Sequence, residues 1–214
     1  MFAAVLWDFG GVITSSPFAA FASYEQEHGL PIGAVRQINA INPDHNAWAR
    51  LERSEIDGDT FDRLFAEEAH AMGWQIPGND ILVLLGGTVR PRMVAAIEHC
   101  KTLGLKTGCI TNNAAVGHGA GMARDAAEAS AVAAILARFD AVIESSKVGL
   151  RKPDPKIYLM MCDMLGVEPR ACVYLDDLGI NCKGAASTGM TAIKVWDETA
   201  LDELGALLGT TFPD

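Results

Sequence analysis

The chain has no surplus of positive charge: 17 Lys and Arg stand against 27 Asp and Glu, a net charge of −10. A polyanion such as nucleic acid needs clustered cations, so that class of partner is set aside. No apolar run approaches the ~20 residues that span a bilayer. Runs such as Met1 to Trp7 and Ile81 to Leu85 are far shorter. No basic leader precedes the first apolar run, so no signal peptide is expected. The expected setting is therefore cytoplasmic, with no membrane partner and the oligomeric state left open. Cysteine is sparse and scattered: Cys100, Cys109, Cys162, Cys172 and Cys182 form no C-x-x-C pair, and their number is odd. Reduced core thiols are expected, not a disulfide framework or a structural zinc site. No internal repeat or low-complexity segment stands out apart from the alanine-rich stretch from Met122 to Ala137, which reads as a helix.

What is present is globular. Half of the 214 residues are hydrophobic and 21% are charged, enough to bury a sizeable core. Ala3 to Trp7 is a short apolar run suited to a buried strand, and it ends in Asp8, Gly10 and Gly11. In an open parallel sheet, ligands bind beyond the carboxyl ends of the strands, which is where Asp8 would stand. The glycines let the backbone turn and bring its polar groups close to a small charged ligand. Leu105 to Ile110 is a second strand, ending in Thr111-Asn112-Asn113. Arg151-Lys152-Pro153-Asp154-Pro155 places a basic pair before a helix. Ala171 to Leu175 is a third strand, ending in Asp176-Asp177 and followed by Leu178-Gly179-Ile180-Asn181.

Between the first strand and the rest lies a stretch of a different kind. Phe18, Phe21 and Tyr24 recur at helical spacing. Further helices are expected over Ala34 to Ile41, Ala47 to Glu52 and Thr60 to Met72, the last capped by Asp59. Such a segment cannot belong to the sheet. The expected division is a core of residues 1–16 and 89–214 with a helical cap of 17–88 over the sheet's carboxyl edge. Within the cap, Trp48 and Arg50 are the side chains able to meet a ligand's leaving group, against the plainer roles of packed indole and solvated cation. After Pro91 the pattern alternates strand and helix: helices from Met93 to Leu103, Pro155 to Leu165 and Asn181 to Ala186, strands at Ala141 to Ile143 and Thr191 to Val195. The expected fold class is α/β, a Rossmann-like parallel sheet with helices on both faces.

The ordered motifs "DFGG", "TNN", "RKPDPKIY" and "YLDDLGIN" resemble the haloacid dehalogenase superfamily of phosphohydrolases, and within it the branch of the amino-terminal phosphatase domain of soluble epoxide hydrolases. The resemblance covers essentially the whole chain. It implies an Mg²⁺-dependent hydrolase acting on a small phosphate ester, with Asp8 as nucleophile and an aspartyl-phosphate intermediate. Asp8, Asp176 and the Gly10 carbonyl would hold the metal, with Asp177 behind them or as an alternative ligand. Thr111, Asn112 and the backbone at Gly11 would hold the phosphoryl oxygens, and Lys152 would supply the remaining positive charge. Arg151 is expected at the surface or against the cap.

One position departs from that pattern. The residue two after the nucleophile is usually a second Asp, the general acid for the leaving alkoxide; here it is Gly10. General acid–base assistance is worth ~10²–10⁴-fold. Good leaving groups, a borrowed acid such as His118, and weak hydrolysis all remain open. So do two other functions: metal-free 2-haloacid dehalogenation, against which the Asp176-Asp177 pair speaks, and binding of a phosphorylated ligand without turnover.

Overall fold

A computed structural model describes residues 1–117, 122, 123 and 125–213. Among these residues, five strands form one parallel sheet: β1 (Ala4–Trp7), β2 (Lys106–Thr111), β3 (Ala141–Glu144), β4 (Cys172–Asp176) and β5 (Thr191–Lys194), in the order β3-β2-β1-β4-β5. All four residues of β1 are fully buried because the strand is central, with helices on both faces. Val5 lies opposite Thr107 and Val173, and Trp7 opposite Cys109 and Leu175.

Alternation along the strand sorts its side chains between two cores. Val5 and Trp7 pack with α6 (Pro91–Thr102), α7 (Ala126–Leu136) and α11 (Ala200–Leu208). Ala4 and Leu6 face the other way, against Ile157, Tyr158 and Met161 of α9 (Pro155–Leu165) and Ala185 of α10 (Gly179–Ser187). Each fully buried aliphatic side chain contributes about 1.5–3 kcal/mol. The chain winds outward from β1 to β2 and β3, then crosses back to β4 on the other side of β1. That reversal leaves a crevice at the carboxyl ends of β1 and β4, the place where such sheets bind ligands.

The stretch after β1 is helical and stays out of the sheet: α1 (Phe18–Glu27), α2 (Ala34–Ala40), α3 (Ala47–Glu52), α4 (Gly58–Ala71) and α5 (Gly78–Leu82). It has a core of its own, built on Phe21, Tyr24, Val35, Ile38, Leu51, Phe61 and Phe65. The chain leaves and re-enters the sheet layer side by side. Thr14 bridges Val89 antiparallel, Ser15 N–H donates to the Thr88 carbonyl at 2.8 Å, and Arg90 N–H to the Ile13 carbonyl at 2.9 Å.

Several boundaries differ from the sequence reading. Asp57, not Asp59, caps α4: its side chain accepts from Thr60 N–H while its backbone is extended, and Asp59 sits inside the first turn. The alanine-rich helix starts at Ala126, where Asp125 caps it. Among the described residues, three α-helical pieces were not expected: α5, the turn α8 (Ser145–Val148) and α11. The cysteines are free, as expected, and all but the half-buried Cys182 are buried. Among the described residues, no helix is long and apolar enough to cross a membrane.

Candidate active site

Asp8 follows β1 directly, and its N–H donates to the Leu175 carbonyl at 2.8 Å, which extends the pairing with β4 by one step. One carboxylate oxygen, Oδ1, accepts from Phe9 N–H at 2.7 Å and lies 2.7 Å from Lys152 Nζ. Oδ2 accepts no protein hydrogen bond among the described residues. Asp176 ends β4, fully buried and more heavily committed. Its Oδ2 accepts from Lys152 Nζ at 2.9 Å, from the Tyr174 hydroxyl and from Asn181 Nδ2; its Oδ1 accepts from Leu178 N–H at 2.8 Å and again from Asn181. Lys152, 1% exposed, is thus held between the two strand-end carboxylates.

Electrostatics show what the arrangement lacks. One carboxylate oxygen from each of Asp8, Asp176 and Asp177 lies within 4.8 Å of the others, with one ammonium among them. Burial, then the Asp176 and Asp177 charges, hold the Asp8 carboxyl well above its ordinary range against the pull of Lys152. Burial and Asp176 push Asp177 up in the same way. Burial alone would weaken the Lys152 ammonium, but the Asp176 and Asp8 charges outweigh it and hold the group protonated. Three clustered carboxylates facing one cation suit a further hard cation, and the donor set is all oxygen once the Gly10 carbonyl is counted.

The two glycines are unlike. Gly11 is buried with φ at 79°, and a Cβ there would lie 2.1 Å from Asp177 Oδ2, so a side chain would be strained and would have to push Asp177 aside. Its carbonyl accepts from Arg90 Nη1 at 2.9 Å, which braces the turn. Gly10 is exposed, with φ −68° and ψ 130°, angles open to any residue, and a Cβ there would meet nothing within 4 Å. The backbone restriction one would suspect at Gly10 belongs to its neighbour.

Thr111 ends β2, buried, and its hydroxyl has no protein partner among the described residues. Asn112 is placed differently from expectation. Its Oδ1 accepts from Lys152 N–H at 2.9 Å, and its Nδ2 donates to the Lys152 carbonyl at 3.1 Å and to Glu52 Oε2 at 3.2 Å. The amide is used up in holding protein. Arg151 does meet the helical segment, through Glu52 and the Pro43 carbonyl. His118 lies outside the described residues.

These groups line a cavity of about 690 Å³ between the sheet edge and the helical segment. Asp8, Gly10, Thr111, Lys152 and Asp177 reach it from below, and Phe18, Phe21, Trp48, Leu51 and Leu85 form much of the opposite wall. Trp48 packs edge-on against Phe61 at 5.5 Å while its indole N–H donates to Glu52. Arg50 is not among the lining residues. The sequence reading assigned no role to Asn181, Tyr174, Arg90 or Glu52. Tyr174 and Asn181 left a trace, as the first and last residues of a quoted motif.

The sheet order, the strand-end aspartates and the buried lysine together define a hydrolase of one family. The chain belongs to the haloacid dehalogenase-like hydrolases, whose profile matches residues 2–189. It is 34% identical over 215 residues to mouse acyl-CoA dehydrogenase family member 10, covering 96% of this chain and 19% of that protein. It is 40% identical over 200 residues to mouse bifunctional epoxide hydrolase 2, covering 90% of this chain and 33% of that protein. The chain thus spans a third or less of the length of these relatives. Among solved structures, a haloacid dehalogenase family enzyme of Bacteroides thetaiotaomicron, in complex with magnesium and inorganic phosphate, superposes with a TM-score of 0.55 at 14% identity. That match covers 91% of this chain and 94% of the other.

Proposed function

We propose that the chain is an Mg²⁺-dependent phosphohydrolase acting on small phosphomonoesters through an aspartyl-phosphate on Asp8. The observation that carries this reading is the cluster of three carboxylates around one buried lysine, with Asp8 Oδ2 free to attack. A metal-free dehalogenase gains nothing from the two additional carboxylates. Asp8, Asp177, the Gly10 carbonyl and Asp176 would hold the ion, which supplies the positive charge that lets a carboxylate approach a phosphate dianion.

The chain's own residues do the rest. Lys152, already bonded to Asp8 Oδ1, keeps that oxygen turned away and leaves Oδ2 toward the cavity, then neutralises the equatorial phosphoryl oxygens. Thr111 Oγ1 donates to one of them, and backbone N–H groups at Gly11 and Asn112 take the others. Because the Asn112 side chain is occupied, its contribution is indirect. Asp8 Oδ2 attacks phosphorus, the P–O bond to the leaving group breaks, and water later attacks the aspartyl-phosphate to release phosphate and regenerate the carboxylate. No side chain at position 10 protonates the leaving oxygen, so esters that leave as stable anions are favoured. Residues 17–88 act as the cap that meets the leaving group, over a core of 1–16 and 89–214.

The test is hydrolysis of a chromogenic aryl phosphate with Mg²⁺ and with EDTA. Turnover that is lost in chelator and restored by excess Mg²⁺ is expected. Undiminished rates in chelator would overturn the metal, and no release of phosphate under any condition would overturn the reaction.

A further inference from the structure

Helix α3 ends on Glu52, whose side chain is only 12% exposed. Its carboxylate collects donors from three separate stretches of chain. Trp48 Nε1 reaches Oε1 at 2.9 Å, while Arg151 Nε at 2.6 Å and Asn112 Nδ2 at 3.2 Å share Oε2. The latter two belong to the loops that carry the phosphate-site residues. Arg151 precedes Lys152, and Asn112 clasps the Lys152 peptide from both sides, accepting its N–H and donating to its carbonyl. Glu52 is therefore one side chain removed from the backbone that places the site's ammonium.

Only a carboxylate satisfies this junction. All three partners donate, and a carboxylate accepts from each without offering a hydrogen of its own. A glutamine would have to point an N–H at one of them. The charge matters too: Arg151 and Lys152 are adjacent cations that both line the cavity, and Glu52 pairs with the first.

Resting on the phosphohydrolase reading, we infer that Glu52 is a positioning residue for that reaction: it docks the helical segment onto the Lys152 loop and locks Asn112 in the orientation that fixes Lys152. Lys152 Nζ sits 2.7 Å from Asp8 and 2.9 Å from Asp176, and a shift of its backbone by about an ångström would break both contacts. Misplacement of that size costs up to ~10²-fold in rate.

The decisive measurement is hydrogen–deuterium exchange at the Lys152 amide in wild type, Glu52→Ala, Glu52→Gln and Arg151→Met. The amide is expected to exchange about tenfold faster or more in Glu52→Ala, with Glu52→Gln and Arg151→Met in between, because each loses part of the junction. With a small aryl phosphate at saturating Mg²⁺, kcat should fall by up to ~10²-fold in Glu52→Ala. Mg²⁺ affinity, read by calorimetry, should stay at the wild-type value, since no proposed ligand is touched; a merely structural collapse would take it down as well. Wild-type protection of the Lys152 amide in the folded variants overturns the inference, as does an unchanged kcat. If Glu52→Ala fails to fold, the other two variants decide by the same exchange. If the wild type hydrolyses no phosphate ester, the exchange result still judges the junction, and the missing turnover counts against the phosphohydrolase reading alone.

Discussion

The floor and the roof of the cavity are built on opposite principles. The floor is charge held still: Asp8 and Asp176 end adjacent parallel strands, and Lys152 is fixed between them with almost no access to solvent. The roof is aromatic packing, in which Trp48, Phe61 and Phe65 touch at ordinary ring distances and Trp48 is only partly covered. A buried charge that loses its partner is costly, whereas an aromatic wall tolerates a change of shape. The floor therefore sets what reaction is possible, and the roof sets what fits. Substitutions in the two should separate into losses of kcat and shifts of KM.

The largest effect is expected at Asp8. Asp8→Asn should lower turnover by ~10⁴-fold or more, the order seen when a nucleophile is removed, with the fold intact by circular dichroism. A variant that retains most of the wild-type rate would take the chemistry away from the floor.

Gly10 sharpens the contrast within the floor itself. Because its backbone angles are ordinary and the space around it is open, Gly10→Asp should fold, bind Mg²⁺ and hydrolyse alkyl phosphates up to ~10²–10⁴-fold faster than wild type, with little change for aryl phosphates. Gly11→Ala, one residue on, should instead destabilise the protein by about 1–3 kcal/mol in chemical denaturation and weaken the metal site. Equal wild-type rates on alkyl and aryl esters would mean that another group donates the proton.

The crowding of carboxylates predicts a smaller effect that needs no substrate. Asp177 is held above its ordinary range, so the stability it contributes is present while it is protonated and is lost as pH rises through the raised value. In chelator, Asp177→Asn should therefore melt above wild type, with the gap opening as pH rises above the ordinary carboxylate range and through the raised value. Each kcal/mol appears as about 2–4 °C in a chain of this size. Mg²⁺ at a hundred times its Kd should raise the wild-type midpoint by about 5–10 °C. A gap that closes with rising pH would contradict the sign.

The smallest change belongs to the roof. Trp48→Phe keeps a ring against Phe61 and loses only the indole hydrogen bond to Glu52. It should cost on the order of 1–3 kcal/mol of stability and move KM more than kcat. A kcat loss comparable to that of Asp8→Asn would erase the distinction between floor and roof.

The floor was legible in the sequence because its signals are local. An apolar run that stops at a carboxylate marks a strand end, and two such runs place Asp8 and Asp176 before any contact is known. What was hidden depends on distance along the chain. Asn112 looked like a phosphate ligand because its real partners, Glu52 and Lys152, lie 60 and 40 residues away. Glu52 looked like any acidic helix end, and Arg90 like any residue before a proline. At α4 both Asp57 and Asp59 could serve as a cap, and only the extended backbone at Asp57 decides between them. Helix α11 was missed although its Leu201 and Leu204 are buried, because no motif sits near it.

The paired crossings at Ser15 and Thr88 bear on how such a protein can change over generations. The cost of closing a loop grows only slowly with its length, by about 0.6 kcal/mol per doubling. A chain that departs and returns through hydrogen-bonded neighbours can therefore have the intervening stretch lengthened, trimmed or exchanged while the sheet keeps its register. Heredity can treat the roof as a cassette, exchanged without disturbing the strand ends beneath it.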